Sequence, residues 1–191
     1  MPGLRILGGA ARGRRLQGES LPGVRPTPAR VREAVFDILG ARVDGSTFLD
    51  LYAGTGAVGL EALSRGAGRV VFVERSRAAA HAIAANLALV AGPDSAEIVQ
   101  EEARTALRRL AGRGDRFQIA FLDPPWDDRP GEEALLLAAE LVSAAGIVVC
   151  EHRSGEGIAF PAAAMLRPGR SYRYGDASLS LFHRESGTGA G

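Results

Sequence analysis

The chain has 191 residues, 46% hydrophobic and 24% charged, enough for one domain with a full core. Its single cysteine, Cys150, excludes an internal disulfide and a cysteine-based metal cluster. No apolar run reaches the roughly 20 residues that span a bilayer, and the N-terminus lacks a signal-peptide core, so the expected location is the cytoplasm.

The net charge of +1 hides an asymmetry. Residues 1–32 carry seven arginines (Arg5, Arg12, Arg14, Arg15, Arg25, Arg30 and Arg32) and one acid, Glu19, which leaves the remaining 159 residues about −5. A basic arm on a mildly acidic body suits a polyanionic partner, most simply nucleic acid. All 23 basic residues are arginine, which favours planar, bidentate contacts to phosphate.

In chain order, residues 1–24 are Gly- and Arg-rich with short apolar pieces and are expected to be a basic arm that either forms a hairpin or stays partly disordered. "RPTPARVREAVFDILG" predicts a helix with Thr27 as N-cap and Pro28 in its first turn. Val31, Val35 and Ile38 are expected to face the core, with Arg30 and Arg32 outward. From residue 47 strands and helices alternate. "TFLDLY" is followed by "AVGLEALSRG", "RVVFVE" by "SRAAAHAIAANLALVAG", and "AEIVQ" by "ARTALRRLAG". "FQIAFLD" is followed by "GEEALLLAAELVSAAG", and "GIVVCEH" is the fifth strand. Short continuous apolar strands alternating with helices predict a doubly wound α/β fold with a mostly parallel sheet. "RSYRYG" and "ASLSLFH" predict a closing antiparallel pair turning at Gly175-Asp176. The expected organisation is an arm over 1–24, a main domain over 25–184 and a disordered tail over 185–191.

In such sheets ligands bind outside the carboxyl ends of the strands. "DLYAGTGAVGLE" places Gly54, Gly56 and Gly59 in a G-x-G-x-x-G turn between a strand and a helix. The turn suits a dinucleotide pyrophosphate, a nucleoside with an amino-acid tail, or simply a tight strand–helix connection. Glu74 closes the second strand 18 residues after Gly56, where a carboxylate can accept both hydroxyls of a ribose. Asp50 ends the first strand. A carboxylate there suits the cationic tail of S-adenosylmethionine and would repel a diphosphate.

"FLDPPWDD" is the most specific stretch. Pro124 and Pro125 have no N–H, and proline holds its predecessor extended. The turn therefore presents carbonyl oxygens and the Asp123 carboxylate to a ligand rich in donors, such as an amine. Trp126 adds a face on which a base can stack. The whole reads as a clamp for the exocyclic amine of a nucleobase. That nitrogen is a poor nucleophile because its lone pair is delocalised into the ring. Asp123 and the Pro124 carbonyl can each accept one N–H and turn the lone pair toward a methyl donor, and Asp123 can take the surplus proton.

These stretches resemble class I S-adenosylmethionine-dependent methyltransferases acting on exocyclic amines. With "RILGGAARGRRL", "RPTPARVREAVFDIL", "VCEH" and "YGDASLSLF", the chain is similar over about residues 4–183 to the RsmD-type family, bacterial 16S rRNA guanine-N2 methyltransferases. The resemblance implies a Rossmann-like seven-stranded sheet with an antiparallel final strand. Asp50 and the loop Tyr52, Gly54, Thr55, Gly56 would contact the methionine part of the cofactor. Glu74 would bind the ribose and Glu102 would lie near the adenine amine. Asp123, Pro124 and Trp126 would hold the guanine, with Trp126 replacing the family's usual Phe or Tyr. Arg12, Arg14, Arg15, Arg25, Thr27, Arg30 and Arg32 would line the RNA contact. The small ribosomal subunit, or an assembly intermediate, would be the partner of a monomeric enzyme.

Other readings make different demands. A DNA adenine or cytosine methyltransferase shares the D-P-P-W turn but normally needs a target-recognition domain, and none is visible. A nicotinamide dehydrogenase has no use for that turn. A non-catalytic RNA-binding module would keep its function without Asp123. His81, His152 and His183 lack metal-ligand spacing, so no metal is expected, and Cys150 is expected in the core.

Overall fold

A computed structural model describes residues 3–19, 21, 27–125, 131–156, 158 and 165–184. Arg25, Trp126 and the 185–191 tail lie outside the described residues. In chain order the elements are α1 (Ala29–Leu39), β1 (Thr47–Leu51), α2 (Ala57–Ser64), β2 (Arg69–Val73), α3 (Arg77–Val90), β3 (Ala96–Val99) and α4 (Ala103–Gly112). Then come β4 (Phe117–Leu122), α5 (Gly131–Leu141), β5 (Val142–Arg153), β6 (Leu166–Tyr174) and β7 (Ala177–Arg184). The seven strands make one sheet in the order β3-β2-β1-β4-β5-β7-β6. The pairs from β3 to β5 are parallel, and β7 runs antiparallel to both its neighbours. The expected doubly wound sheet and its antiparallel last strand are both present.

The strands alternate between two apolar layers. Phe48, Phe72, Phe121 and Val149 face one cluster, shared with α1, α2 and Ile83 of α3. Leu49, Val71, Leu122 and Val148 face the other, shared with α4 and α5. This period of two is what a sheet covered on both faces requires.

The N-terminal stretch is a docked hairpin. Ile6 and Leu16 donate backbone N–H groups to the Arg14 and Leu4 carbonyls (2.9 and 2.8 Å). Leu4, Ile6, Ala11 and Leu16 join the α1/α2 cluster. Three buried polar residues hold the hairpin. Glu61 is fully buried and accepts N–H groups from Leu7 and Gly8 (both 2.7 Å) and from Arg65 Nε (2.8 Å). The Ser64 hydroxyl accepts from Ala11 N–H (2.9 Å) and donates to the Gly8 carbonyl (2.6 Å). Asn86 pairs through its amide with both backbone groups of Gln17 (2.7 and 3.0 Å). Gly9 sits at φ 75° directly over the Ser64 carbonyl, where a Cβ has no room.

Three local expectations are corrected. Thr27 is not the cap of α1. Pro28 occupies that position with no side-chain cap, and the Thr27 hydroxyl goes elsewhere. Arg32 does not face outward. It is 1% exposed, because at helical spacing it shares a face with Val35, Phe36 and Leu39, and its guanidinium donates to the Arg5 carbonyl (3.1 Å). Burial lowers its pKa, and the nearby Glu61 charge opposes that shift. Arg32 thus ties α1 to the hairpin and is closed to RNA. Finally, "VSAAG" continues no helix. It opens β5, where Ala145 takes a left-handed φ of 62° and the pairing with β4 shifts register.

Candidate active site

The carboxyl ends of β1, β2 and β4 bring together the glycine turn, Glu74 and the Asp123 turn. Asp123 donates its backbone N–H to the Leu51 carbonyl (3.4 Å), so the turn after β4 stays aligned with the end of β1. Tyr52 follows Leu51 at φ 63°, a left-handed state that costs a non-glycine residue about 1–2 kcal/mol. Such strain at a ligand edge fits a fixed turn. The Tyr52 side chain packs partly against the α4/α5 cluster.

Gly56 also has positive φ, and a Cβ there would lie 2.9 Å from Ile83 Cγ1. Its missing side chain therefore serves the packing of α3 behind the turn. Asn86 links the same region to the hairpin, since its amide also donates to the Thr55 carbonyl (3.4 Å).

The carboxylates differ in access. Asp50 is 1% exposed, and its Oδ2 accepts the Gly59 N–H of α2 (2.8 Å). Burial raises its pKa well above the usual carboxylate value. The Gly59 N–H opposes this, while the charges of Asp123 and Glu74 add to it. The Asp50 carboxyl therefore braces the glycine turn from behind. Thr55 is buried likewise. Glu74 is half-buried and accepts Gly54 N–H on one oxygen (2.8 Å) and Ser76 N–H on the other (2.7 Å). A carboxylate has about four acceptor sites, so each oxygen keeps capacity for a hydroxyl.

Glu102 is the N-cap of α4. One oxygen accepts the N–H groups of Arg104 (3.0 Å) and Thr105 (3.2 Å), and the other meets Arg104 Nε (3.3 Å). Desolvation would raise its pKa, but these hydrogen bonds and the Arg104 charge hold it below the usual value. Asp123 is half-buried, and its Oδ2 accepts the Thr27 hydroxyl (3.3 Å). Pro124 is half-buried and Pro125 exposed. Cys150, one strand over, is buried, and burial together with the Asp123 and Glu151 charges pushes its thiol pKa up, so it is no nucleophile. No metal-binding cluster occurs among the described residues.

The arrangement is an acidic edge whose Pro-Pro turn carries no N–H donors. It favours a cationic ligand over a diphosphate and an amine over an anion. Sequence reasoning missed Glu61, Ser64 and Asn86. Each looks like an ordinary polar helix residue until the hairpin is seen against it.

A family profile described as conserved hypothetical protein 95 matches residues 4–183. The Bacillus subtilis protein YlbH, provisionally named an rRNA methyltransferase, is 34% identical over 151 residues, 78% of this chain and 82% of its own length. The ribosomal RNA small subunit methyltransferase D of Escherichia coli K12 is 43% identical over 124 residues. That match spans 64% of this chain and 60% of the relative, less than two thirds of its length. Among solved structures, Escherichia coli yhhF, provisionally titled a methyltransferase, superposes with TM-score 0.80 at 29% identity, covering 96% of this chain and 98% of its own.

Proposed function

The chain belongs to the RsmD-type family described as conserved hypothetical protein 95, and from that membership we propose that it methylates the exocyclic N2 amine of a guanine in 16S rRNA, using S-adenosylmethionine. One observation carries the chemistry: the Asp123 and Glu74 charges both bear on the buried Asp50 carboxyl, beside a Pro-Pro turn without N–H donors. The rRNA substrate is supported by the names of the Bacillus and Escherichia relatives, and the small subunit by that of the latter.

The residues fit the cofactor. Its sulfonium and ammonium charges are matched by the carboxylates, and the Glu74 oxygens keep acceptor sites for a ribose. When bound, the cofactor supplies a methyl group activated on sulfur. Asp123 and the Pro124 carbonyl each accept one N–H of the target amine, which aims the nitrogen lone pair and fixes its approach. Asp123 then takes the proton the amine loses. Trp126, two residues after Pro124, supplies the stacking face. Glu102 marks the adenine end. Arg12, Arg14, Arg15, Arg25 and Arg30 hold RNA phosphates, and the enzyme works as a monomer. No helix among the described residues is long and apolar enough to cross a membrane.

Thr27 has its own role. Its hydroxyl occupies one acceptor site of Asp123 Oδ2 and restrains the carboxylate that faces the amine. Thr27→Val is expected to lower kcat about tenfold with KM for the subunit within about twofold, and Thr27→Ser to restore most of it, as for one lost hydrogen bond to a charged group. A loss carried by KM would instead make Thr27 an RNA contact.

Labelled S-adenosylmethionine tests the reading directly. The purified protein is expected to label small ribosomal subunits lacking native modification and to leave duplex DNA unlabelled. Label in DNA alone overturns the substrate.

A further inference from the structure

The exposed arginines differ in their partners, and Arg42, Arg75, Arg77 and Arg116 stand singly, in no ion pair among the described residues. On the β3 side of the molecule Arg69, Arg104, Arg108, Arg109 and Arg113 are all ion-paired to acids, at 2.6–3.4 Å. On the hairpin, the start of α1 and β6, the exposed Arg12, Arg14, Arg15, Arg30, Arg170 and Arg173 are in no ion pair among the described residues. Clustered positive charge left uncompensated on the hairpin and at α1 and β6 of a nearly neutral protein is an electrostatic footprint for a polyanion.

The β6 part of this population was not expected from the sequence, where "RSYRYG" reads only as half of a hairpin. β6 is an edge strand, last in the sheet. Its pairing with β7 is irregular between Pro168 and Ser171, and no residue of β7 stands opposite Arg170. Arg173 pairs across to Ser178 and donates Nε–H to the Gly175 carbonyl (3.3 Å) at the β6–β7 turn. That turn is fixed to the end of β5, where Ser154 donates its N–H to the Asp176 carbonyl (2.8 Å). It therefore lies at the carboxyl edge of the sheet, the edge that carries Asp123. Arg30 closes the gap. Its guanidinium stands 5.9 Å from the Tyr174 ring centroid, and it is three residues from Thr27, whose hydroxyl touches Asp123. Arg30 and Arg173 thus meet at the Gly175 turn beside the site, Arg30 from α1 and Arg173 from β6, and Arg170 lies three residues further back along β6.

We propose that this group is a second RNA-binding surface, in which Arg30, Arg173 and Arg170 hold backbone phosphates of the substrate strand on the side of the site away from the hairpin. It rests on the proposed rRNA substrate. The hairpin and the β6 edge then grip the strand at two separated places, and the base between them is presented to the Asp123 turn. The arginine fork suits phosphate oxygens, and phosphate contacts fix register without reading sequence.

Edge strands also carry charge simply to block strand-to-strand association, and Pro168 in β6 serves that end. The two roles separate in solution. Binding of full-length protein to purified small ribosomal subunits is measured across a salt series for wild type, Arg170→Ser/Arg173→Ser and Arg170→Lys/Arg173→Lys. Each phosphate contact contributes about 0.7–0.9 to the slope of log K against log salt, so the serine pair is expected to flatten the slope by about 1.5. Binding at low salt should fall at least about tenfold. The lysine pair should recover most of the slope, because charge rather than fold is restored. Cofactor affinity should be equal in all three. A wild-type slope in the serine pair overturns the proposal, and does so equally if that variant self-associates, since the arginines would then be edge guards. A lysine pair as impaired as the serine pair also overturns it. Failure of the function itself looks different: wild-type protein then shows no binding to the subunit at low salt.

Discussion

Replacing Asp123 by alanine is expected to reduce methyl transfer by about 10²–10⁴-fold while leaving cofactor affinity within about twofold. The reduction follows from what the carboxylate does for a nitrogen that is a weak nucleophile. It accepts one N–H, sets the lone pair and receives the proton. The near-constant affinity follows from where it sits. The Asp123 backbone is held by Pro124 and by its N–H on the Leu51 carbonyl, so alanine keeps the turn. Glu74 and the glycine turn keep their own hydrogen bonds. Removing the Asp123 charge also lowers the repulsion that helps raise the Asp50 pKa, which makes the remaining edge easier to ionise. Asparagine keeps an acceptor oxygen and loses the base, so Asp123→Asn should fall between alanine and wild type. Equilibrium binding and single-turnover transfer separate the two effects. A large loss of cofactor binding, or transfer within about tenfold of wild type, would contradict the role.

Glu61→Ala is the largest expected effect on stability. The carboxylate is fully buried and satisfies two hairpin N–H groups and the Arg65 guanidinium. Truncation leaves those donors without acceptors, at a cost of about 3–5 kcal/mol. For a chain of this size that corresponds to a fall in Tm of roughly 10 °C. Local undocking precedes global unfolding, because Leu4, Ile6 and Leu16 lose their anchored backbone. Amide exchange at Leu7 and Gly8 should accelerate more than exchange in the sheet. Glu61→Gln retains one acceptor and should lose less. A Tm within about 2 °C of wild type for the alanine variant would mean that apolar contacts alone hold the hairpin.

The sheet was legible because its strands are short apolar runs between helical repeats, and because Gly175-Asp176 marks the final turn. The site edge was legible for a related reason. Chain order and the rule of carboxyl ends bring residues 50–56, 74 and 123 together without any side-chain detail. Long-range polar contacts were not legible. Arg32 reads as a surface arginine, since sequence does not reveal that a carbonyl of a distant hairpin waits for it. Thr27 reads as a helix cap because Thr-Pro before an apolar repeat usually is one. Its hydroxyl instead meets a carboxylate 96 residues away. The "VSAAG" segment misleads through alanine, whose helix propensity is overridden by pairing with β4.

The most direct test is the identity of the methylated nucleoside. Small ribosomal subunits lacking native modification are incubated with the protein and labelled S-adenosylmethionine, then digested and analysed by mass. The account predicts N2-methylguanosine, from one position of 16S rRNA. Methyl on an adenine or cytosine amine, or no transfer by a protein that binds the cofactor, would contradict it.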